Sequence, residues 1–341
     1  MRRDPWYLNL NDKELNQKFS CIQQEEDKRL REVAREHDQQ SKWSLGASVK
    51  EINDFRNRYI NIMPYEKNRV HLNVTKGNDY INASYVNVDI SQQSISSGHY
   101  IATQGPTRNT WGQFWQMCYH ECHSNNIVIV MVTPLIEKSR EKCFPYWPMG
   151  FEYHDTKRYV SYKQCPSGYE EDLSIFKQSL EVKYESAKRF DDQYTLTILK
   201  LIPKNEDNTQ KHELPVKTVY HFYFDQWEDM KKPQEIIPIM KLSQHSHRFI
   251  SGEDPIIVHC SAGVGRSGTF IALDHLIHNT VDFSEKTNND LLKSTKSQYD
   301  KDLIEQIVLQ LRSQRMKMVQ LSDQYRFIYH AARYLHNMES H

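Results

Sequence analysis

Runs of apolar residues divide the chain into strand-like and helix-like segments. The run NIVIVMVT, residues 126–133, is apolar almost throughout and predicts a strand buried on both faces of a sheet. The stretches 194–201 and 218–224 alternate between apolar and polar residues and predict strands with one polar face. The short run IIVHC, residues 256–260, predicts another buried strand. Helical spacing of apolar residues predicts helices at 11–40, 238–250, 303–315 and 322–338.

The predicted strands concentrate in the middle of the chain and the helices near its two ends. Asn11 followed by Glu14 is suited to an N-terminal cap, so we expect the first helix to begin there. A loop-rich region is expected after this helix. No internal repeat or low-complexity tract divides the chain. This order predicts an α+β fold, with a central twisted mixed sheet flanked by helices.

Composition and charge narrow the class of protein. Lys plus Arg and Asp plus Glu are equal at 44 each, which gives no reason to expect nucleic acid as a partner. Six cysteines are too few for a disulfide framework in 341 residues. The N-terminus lacks the apolar stretch of a secretory signal, and the longest apolar run is too short for membrane insertion. These features predict a reducing cytoplasmic or nuclear location with free thiols.

The segment HCSAGVGRSG, residues 259–268, joins the last buried strand to a helix that we expect to begin near Ser267. Its small residues would let the backbone N–H groups of residues 261–266 turn inward around an anion, next to the positive end of the helix. Arg266, six residues after Cys260, could hold an oxyanion through two hydrogen bonds. The glycines expected to relieve the strain of this curl are Gly263, Gly265 and Gly268.

The same positive field would act on the thiol of Cys260. A free cysteine titrates near ~8.5 and is only a few per cent ionised at neutral pH. Helix N-termini and guanidinium groups lower that pKa to about 3.5–7.5. A lowering of ~3 units corresponds to about 4 kcal/mol and makes the thiolate the dominant form. A loop that binds an oxyanion and ionises the attacking atom indicates phosphoryl transfer.

Three other interpretations fit this segment less well. A structural core cysteine would not need an arginine six residues later in a glycine-rich turn. The letters GVGRSG match the fingerprint of dinucleotide folds, but only about 70 residues follow, too few to complete a doubly wound sheet. A P-loop nucleotidase would need Gly-Lys-Ser/Thr, which this loop lacks.

Several separated motifs resemble those of phosphotyrosine-specific, non-receptor protein tyrosine phosphatases, from about residue 53 to residue 335. VHCSAGVGRSGTF resembles the family signature, and RNRYINIMPYEKNRV with NDYINASYV resembles its phosphotyrosine-recognition loop. YIATQGP, NTWGQFW, EKSREKCFPYWP and MVQLSDQYRF resemble further motifs in the family order. The resemblance implies a catalytic domain at 46–341 after an N-terminal helical extension at 1–45. It also implies hydrolysis of phosphotyrosine in proteins through a cysteinyl-phosphate, with no cofactor and no metal.

The resemblance and this two-step chemistry assign roles to individual residues. The implied catalytic residues are Cys260 as nucleophile, Arg266 as oxyanion ligand, Asp229 as general acid and then base, Ser267 as donor to the leaving thiolate, and Gln320 as a residue that orients water. The implied substrate-binding residues are Tyr59, which would stack on the ring, Asn61, which would hold the peptide backbone, Ser261, Ala262, Gly263, Val264, Gly265 and Arg266 of the loop, and Gln324. The implied supporting residues are His259, Glu137, Lys142 and Trp227.

The acid loop departs from the family pattern. The family reads Trp-Pro-Asp-His-Gly-Val-Pro, whereas residues 227–233 read WEDMKKP. Asp229 is kept, but the preceding proline and following glycine are lost, and Glu228 adds a like charge. Two hypotheses follow: an active phosphatase, or a slow or inactive phosphotyrosine-binding domain that traps substrates. The divergent loop and compact layout are similar to those of bracovirus tyrosine phosphatases, which would make this a viral protein of the host-cell cytoplasm.

The sequence CYHECH places two cysteines and two histidines at spacings that also occur in metal sites. They are expected near the end of a helix that leads into the strand at 126–133, where Cys118 and Cys122 share one face. The other two members of the cluster are His120 and His123. The placement of the cysteines favours core packing over metal binding.

Overall fold

The computed structural model describes residues 5–36, 41–150, 157–160, 175–204, 214–227, 235–283 and 301–338. Its α-helices are α1 (Asp12–Glu36), α2 (Trp111–Glu121), α3 (Ile236–His247), α4 (Gly265–Asn279), α5 (Leu303–Gln314) and α6 (Ser322–Met338). Its strands are β1 (Arg69–His71), β2 (Tyr80–Val88), β3 (Gly98–Thr103), β4 (Asn126–Met131), β5 (Ile136–Glu137), β6 (Arg140–Glu141), β7 (Lys157–Val160), β8 (Ser179–Phe190), β9 (Tyr194–Lys204), β10 (Lys217–Tyr223) and β11 (Ile256–His259). Short 3-10 turns occupy Trp6–Asn9, Gly46–Val49, Glu51–Arg56 and Glu66–Asn68.

Nine of these strands form one mixed sheet in the order β1-β2-β3-β11-β4-β10-β9-β8-β7. The central strands β3, β11, β4 and β10 are parallel, and the outer strands pair antiparallel. β5 and β6 form a separate hairpin. The predicted mixed sheet is confirmed. Because β11 lies between β3 and β4, the loop that follows it lies at the carboxyl edge of the parallel strands.

Both faces of the central strands are covered, which explains the apolar run of β4. Val128 and Val130 face a core shared with α1, α3, α4, α5 and α6. Ile127 and Ile129 face a second core, which contains the apolar residues of α2. Alternation along one strand therefore fills two hydrophobic layers, as expected for a parallel strand buried on both sides.

Helix α1 packs into the larger of these cores. Asn11 Oδ1 accepts from the backbone N–H groups of Lys13 and Glu14 at 3.0 and 3.1 Å, so the expected N-terminal cap is confirmed. The buried apolar residues of the helix are Leu15, Phe19 and Ile22. Glu26 and Arg312 of α5 form a buried ion pair at 2.9 Å. The division between 1–45 and 46–341 stays a prediction.

The prediction of a loop-rich region after the first helix is wrong in one respect, because that part of the chain contains the strands β1, β2 and β3. Strand β2 carries polar residues in the middle of its sequence, which weakens the strand pattern. Two of them, Asn82 and Ser84, are buried because they accept hydrogen bonds from Arg315. Within the described ranges, no helix is both long enough and apolar enough to cross a membrane.

Candidate active site

The segment after β11 curls around the sulfur of Cys260 and runs directly into α4. The helix begins at Gly265, two residues before the predicted start. Cys260 is buried, and the backbone N–H of Gly263 donates to its Sγ at 3.2 Å. The predicted inward turn of the loop amides therefore places at least one of them on the thiol itself.

The electrostatic surroundings of Cys260 favour the thiolate. Burial by itself would raise the pKa of this thiol, because desolvation disfavours the charged form. The guanidinium of Arg266, the hydroxyl and backbone N–H of Ser267 and the backbone N–H of Val264 outweigh that effect. The pKa of Cys260 is therefore lowered below its ordinary value. The positive charge of Arg266 and the hydrogen-bond donors that face the sulfur therefore favour ionisation of Cys260, as the sequence predicts.

The prediction that all three glycines of the loop relieve backbone strain is wrong for two of them. Only Gly263 has a left-handed backbone, with φ +72°, and a Cβ there would lie 2.1 Å from the carbonyl oxygen of Thr103. Gly265 and Gly268 are in the helix and are instead sites of close approach. Added Cβ atoms would lie 3.1 Å from the amide of Gln324 and 2.5 Å from the backbone nitrogen of Val319.

Arg266 is buried and lies between two other motifs. Its Nη1 donates to the carbonyl oxygen of Trp227 at 2.8 Å and lies 4.0 Å from Oε2 of Glu137. Glu137 belongs to the hairpin β5–β6, and Lys142 follows that hairpin with its backbone N–H bonded to Leu135. The hairpin thus places Glu137 within ion-pair range of the signature arginine. Asp229 and Glu228 lie outside the described residues.

The predicted recognition loop, residues 56–70, contacts the loop of residues 259–268, here called the phosphate loop, through the side chain of Tyr59. The hydroxyl of Tyr59 bonds Oγ of Ser261 at 2.9 Å, and Asn61 is exposed two residues later. Arg58 anchors this loop by donating to the carbonyl oxygens of Gly105 and Pro106 at 3.0 and 2.8 Å. The rim that Tyr59 forms therefore has a fixed position relative to the loop of Cys260.

The segment 318–327, which carries Gln320 and Gln324, also packs against the phosphate loop. The backbone N–H of Val319 donates to the carbonyl oxygen of Val264 at 3.2 Å. Gln324 is buried, and its Oε1 accepts from the backbone N–H of Gln320 at 3.0 Å. Both glutamines approach Gly265, with the Cβ of Gln320 3.3 Å from the position of an added Cβ there.

Arg315 is a structural component of the site that no sequence motif indicated. It is fully buried, and burial lowers the pKa of its guanidinium to about 10, so it remains charged at neutral pH. Its Nε and Nη2 donate to the carbonyl oxygens of Gly263 and Ala262 at 2.9 and 3.0 Å. Its immediate neighbours in the chain, Gln314 and Met316, gave no signal of this role.

A hydrogen-bonded chain behind Cys260 was also missed. His259 is buried, and burial lowers its pKa to about 4, so it is neutral near pH 7. Its Nδ1 donates to the carbonyl oxygen of Cys260 at 3.1 Å, which leaves Nε2 to accept from the hydroxyl of Tyr146 at 2.7 Å. The same hydroxyl accepts from Nε2 of His221 at 2.7 Å. The predicted supporting position of His259 thus depends on two partners from distant segments.

The CYHECH cluster is divided between core and surface. Cys118 and Cys122 are buried in the second core, and burial raises the pKa of Cys122 to about 12. His120 bonds the side-chain amides of Asn73 and Gln178 at 3.3 and 3.0 Å, and His123 is exposed. Core packing accounts for both thiols.

Fold and site together define a class of enzyme. A cysteine of lowered pKa at the carboxyl edge of a parallel sheet, a tight turn at a helix N-terminus and an adjacent arginine are typical of phosphate-monoester hydrolases with a cysteine nucleophile. The sequence profile of the protein-tyrosine phosphatase family matches residues 53–334. The chain belongs to that family and is a protein-tyrosine phosphatase.

Individual relatives agree with this assignment. The chain is 56% identical over 339 residues to tyrosine-protein phosphatase 1 of Saccharomyces cerevisiae, covering 99% of both proteins. It is 35% identical to tyrosine-protein phosphatase 2 of Schizosaccharomyces pombe, over 88% of this chain and 37% of that protein. A solved structure from work on the PTPN18 fingerprint on distinct HER2 tyrosine phosphorylation sites superposes with a TM-score of 0.69 at 25% identity, covering 95% of this chain and 94% of that one.

Proposed function

We propose that this phosphatase hydrolyses phosphotyrosine in proteins in two steps, with Cys260 as the nucleophile. The observation that carries the proposal is the lowered pKa of a buried thiol that accepts a backbone hydrogen bond from its own loop. Such a thiol ionises more readily than a free cysteine and is held where a phosphate would bind.

In the first step the sulfur attacks phosphorus, an S–P bond forms and the bond from phosphorus to the phenolic oxygen breaks. Arg266 and the loop amides would hold the equatorial oxygens, where the transition-state charge is spread. Asp229 would give its proton to the departing phenolate. Trp227 precedes Asp229 by two residues, and its carbonyl contact with Arg266 supports this assignment.

In the second step water attacks phosphorus, the S–P bond breaks and inorganic phosphate leaves. Asp229, now a carboxylate, would accept the proton of that water. Gln320 and Gln324 would orient the water, a role supported by their approach to Gly265. Ser267 would stabilise the departing thiolate, and its hydroxyl already contributes to the lowered pKa of Cys260.

Tyrosine selectivity would arise from the recognition loop. The bond from Tyr59 to Ser261 holds an aromatic ring at the rim of the phosphate loop, where a phosphorylated tyrosine could stack on it. The shorter side chains of phosphoserine and phosphothreonine would not reach past that rim to Cys260. Asn61 is exposed next to it and could bond the substrate backbone.

The alternative of a slow, substrate-trapping domain was based on Glu228 and on the lost proline and glycine of the acid loop. No described residue favours it, so we propose the active phosphatase. We propose a cytoplasmic location because the nucleophile must remain a reduced thiol. A viral, host-cell origin stays a prediction, and the two tyrosine-protein phosphatases reported above come from yeasts.

The decisive test is single-turnover release of phosphate from a phosphotyrosine peptide. We expect Asp229→Ala to lower the rate of the first step by about 10²–10⁴-fold, the usual contribution of a general acid. The matched control is the neighbouring Glu228→Gln, which should change the rate only a few-fold, and Cys260→Ser is the inactive blank. A rate for Asp229→Ala equal to that of the unmodified enzyme would overturn the general-acid assignment. Equal activity of Cys260→Ser would overturn the proposal as a whole.

A further inference from the structure

We propose that His247, Asp274 and His278 form a binding site for a divalent transition-metal ion, Zn²⁺ above all, between α3 and α4. His247 is the last residue of α3, and the other two lie on α4. Two imidazole nitrogens and one carboxylate oxygen all lie within 4.8 Å of one another. Asp274 is nine residues beyond the start of α4, about 14 Å along the helix from the phosphate loop, so the cluster is separate from the phosphatase site.

The carboxylate of Asp274 is buried and accepts hydrogen bonds on both oxygens. The hydroxyls of Tyr100 and Ser243 donate to it at 2.8 and 2.7 Å, and Nε2 of His247 lies 2.8 and 3.0 Å from its two oxygens. A carboxyl group that accepts this many donors is ionised. Hydroxyls carry no charge, so a cation bound beside Asp274 would supply compensating positive charge.

The two histidines lie side by side. Their rings stack with centroids 3.5 Å apart and an interplanar angle of 17°. The hydroxyl of Ser243 donates to Asp274, so it accepts from Nε2 of His278 at 3.0 Å. Imidazole nitrogens are common ligands of transition metals.

A zinc ion would replace the Nε2 protons that now bond Asp274 and Ser243. Zn–N and Zn–O bonds of about 2.0–2.2 Å in a tetrahedron require ligand atoms roughly 3.3 Å apart, a spacing that modest rotation of the rings would reach. Asp274 and His278 are four residues apart and share one face of α4. Tyr100 and Ser243 would keep the carboxylate oriented from behind.

The fourth ligand can come from solvent. His247 is about one-fifth exposed and lines a cleft of about 490 Å³ together with Asn279 and Tyr100. Water or a metal ion can therefore reach the cluster without rearrangement of the helices. A bound ion would join the end of α3 to the C-terminal half of α4, and α4 begins at the phosphate loop. Because it would bind the folded chain, it should stabilise that state.

The test uses the full chain with Cys260→Ser, which removes the catalytic thiolate as a competing ligand. Titration with Co²⁺ should give the visible absorption of a tetrahedral site at one ion per chain, and Zn²⁺ should displace it. Saturating Zn²⁺ should raise the melting temperature by roughly 5 °C or more. His247→Gln and His278→Gln should each weaken Zn²⁺ binding at least about tenfold and abolish the temperature shift.

The matched control is His245→Gln, which removes another histidine of α3 that bonds Tyr194 instead. It should bind Zn²⁺ as tightly as the Cys260→Ser parent. Melting in the presence of a chelator will show that each variant folds. If a variant does not fold, X-ray absorption of the zinc-loaded parent decides, with nitrogen and oxygen ligands expected. Sulfur ligands, or Zn²⁺ binding unchanged by both glutamine substitutions, would overturn the proposal.

Discussion

Replacement of Arg315 by lysine tests whether this residue orients the phosphate loop or only fills space. Its guanidinium reaches four buried acceptors, which are the carbonyl oxygens of Ala262 and Gly263, Oδ1 of Asn82 and Oγ of Ser84. A lysine carries all its donors on one atom and cannot reach all four. Each buried acceptor left unpaired costs about 1–3 kcal/mol, so Arg315→Lys should lower the free energy of unfolding by about 2 kcal/mol.

The same substitution should alter the nucleophile. A carbonyl shares a rigid planar peptide with the next N–H, so the bond to Ala262 orients the N–H of Gly263, and the bond to Gly263 orients that of Val264. Both N–H groups act on the sulfur of Cys260. Hydrogen bonds to a charged group contribute about 1.5–3 kcal/mol each. Weakening the two by half would raise the pKa of Cys260 by about 1–2.

The assay is the pH dependence of inactivation by iodoacetamide, which reacts with the thiolate. The matched control is Arg312→Lys, because Arg312 is equally buried but donates to Met318, Val319 and Glu26 and not to the carbonyl oxygens of the loop. It should destabilise the protein and leave the pKa of Cys260 unchanged. An unchanged pKa in Arg315→Lys as well would refute the orienting role.

Three further predictions concern the surroundings of the loop. Gly263→Ala combines φ +72° with a Cβ 2.1 Å from Thr103, so it should lower the free energy of unfolding by about 3 kcal/mol or more. Gly252→Ala, at φ +63° with no atom within 4 Å of the added Cβ, should lower it by only about 1–2 kcal/mol. Urea unfolding measures both changes. Tyr146→Phe should lower the free energy of unfolding by about 1–3 kcal/mol, because two buried ring nitrogens lose their hydrogen-bond partner. The control is Tyr65→Phe, because the hydroxyl of Tyr65 has no partner among the described residues. Equal melting temperatures for the two variants would contradict this prediction. Burial lowers the pKa of His259 to about 4, below the value of about 6.5 that a histidine has in the unfolded chain. As the pH falls from about 6.5 towards 4, the unfolded chain therefore binds a proton before the folded chain does. The contribution of His259 to folding stability is complete above about pH 6.5 and is lost across this window. The free energy of unfolding should therefore fall by up to about 1.4 kcal/mol per pH unit in this window, and a constant value would exclude the effect.

Local patterns were enough to predict the strand–loop–helix unit and its chemistry. Cys260, Arg266 and the small residues between them are adjacent in the chain, so their spacing alone indicates an anion site beside a thiol. The apolar run of β4 likewise needs no partner to be recognised, because a strand buried on both faces has no polar alternation. The polar residues of β2 concealed a strand for the opposite reason, since their partner Arg315 is over 230 residues away.

By itself the sequence predicted Cys260 as the nucleophile and Arg266 as the oxyanion ligand, because these residues are near neighbours in the chain. It predicted the mixed sheet from the order of its strand-like and helix-like segments. Only the tertiary structure decided how the loop is held. Arg315, Tyr146 and His221 reach it from distant segments, and their burial cannot be inferred from their own neighbours. The cluster of His247, Asp274 and His278 likewise exists only because α3 packs against α4. Hydrogen bonds that join remote segments depend on packing, and packing is a property of the whole fold.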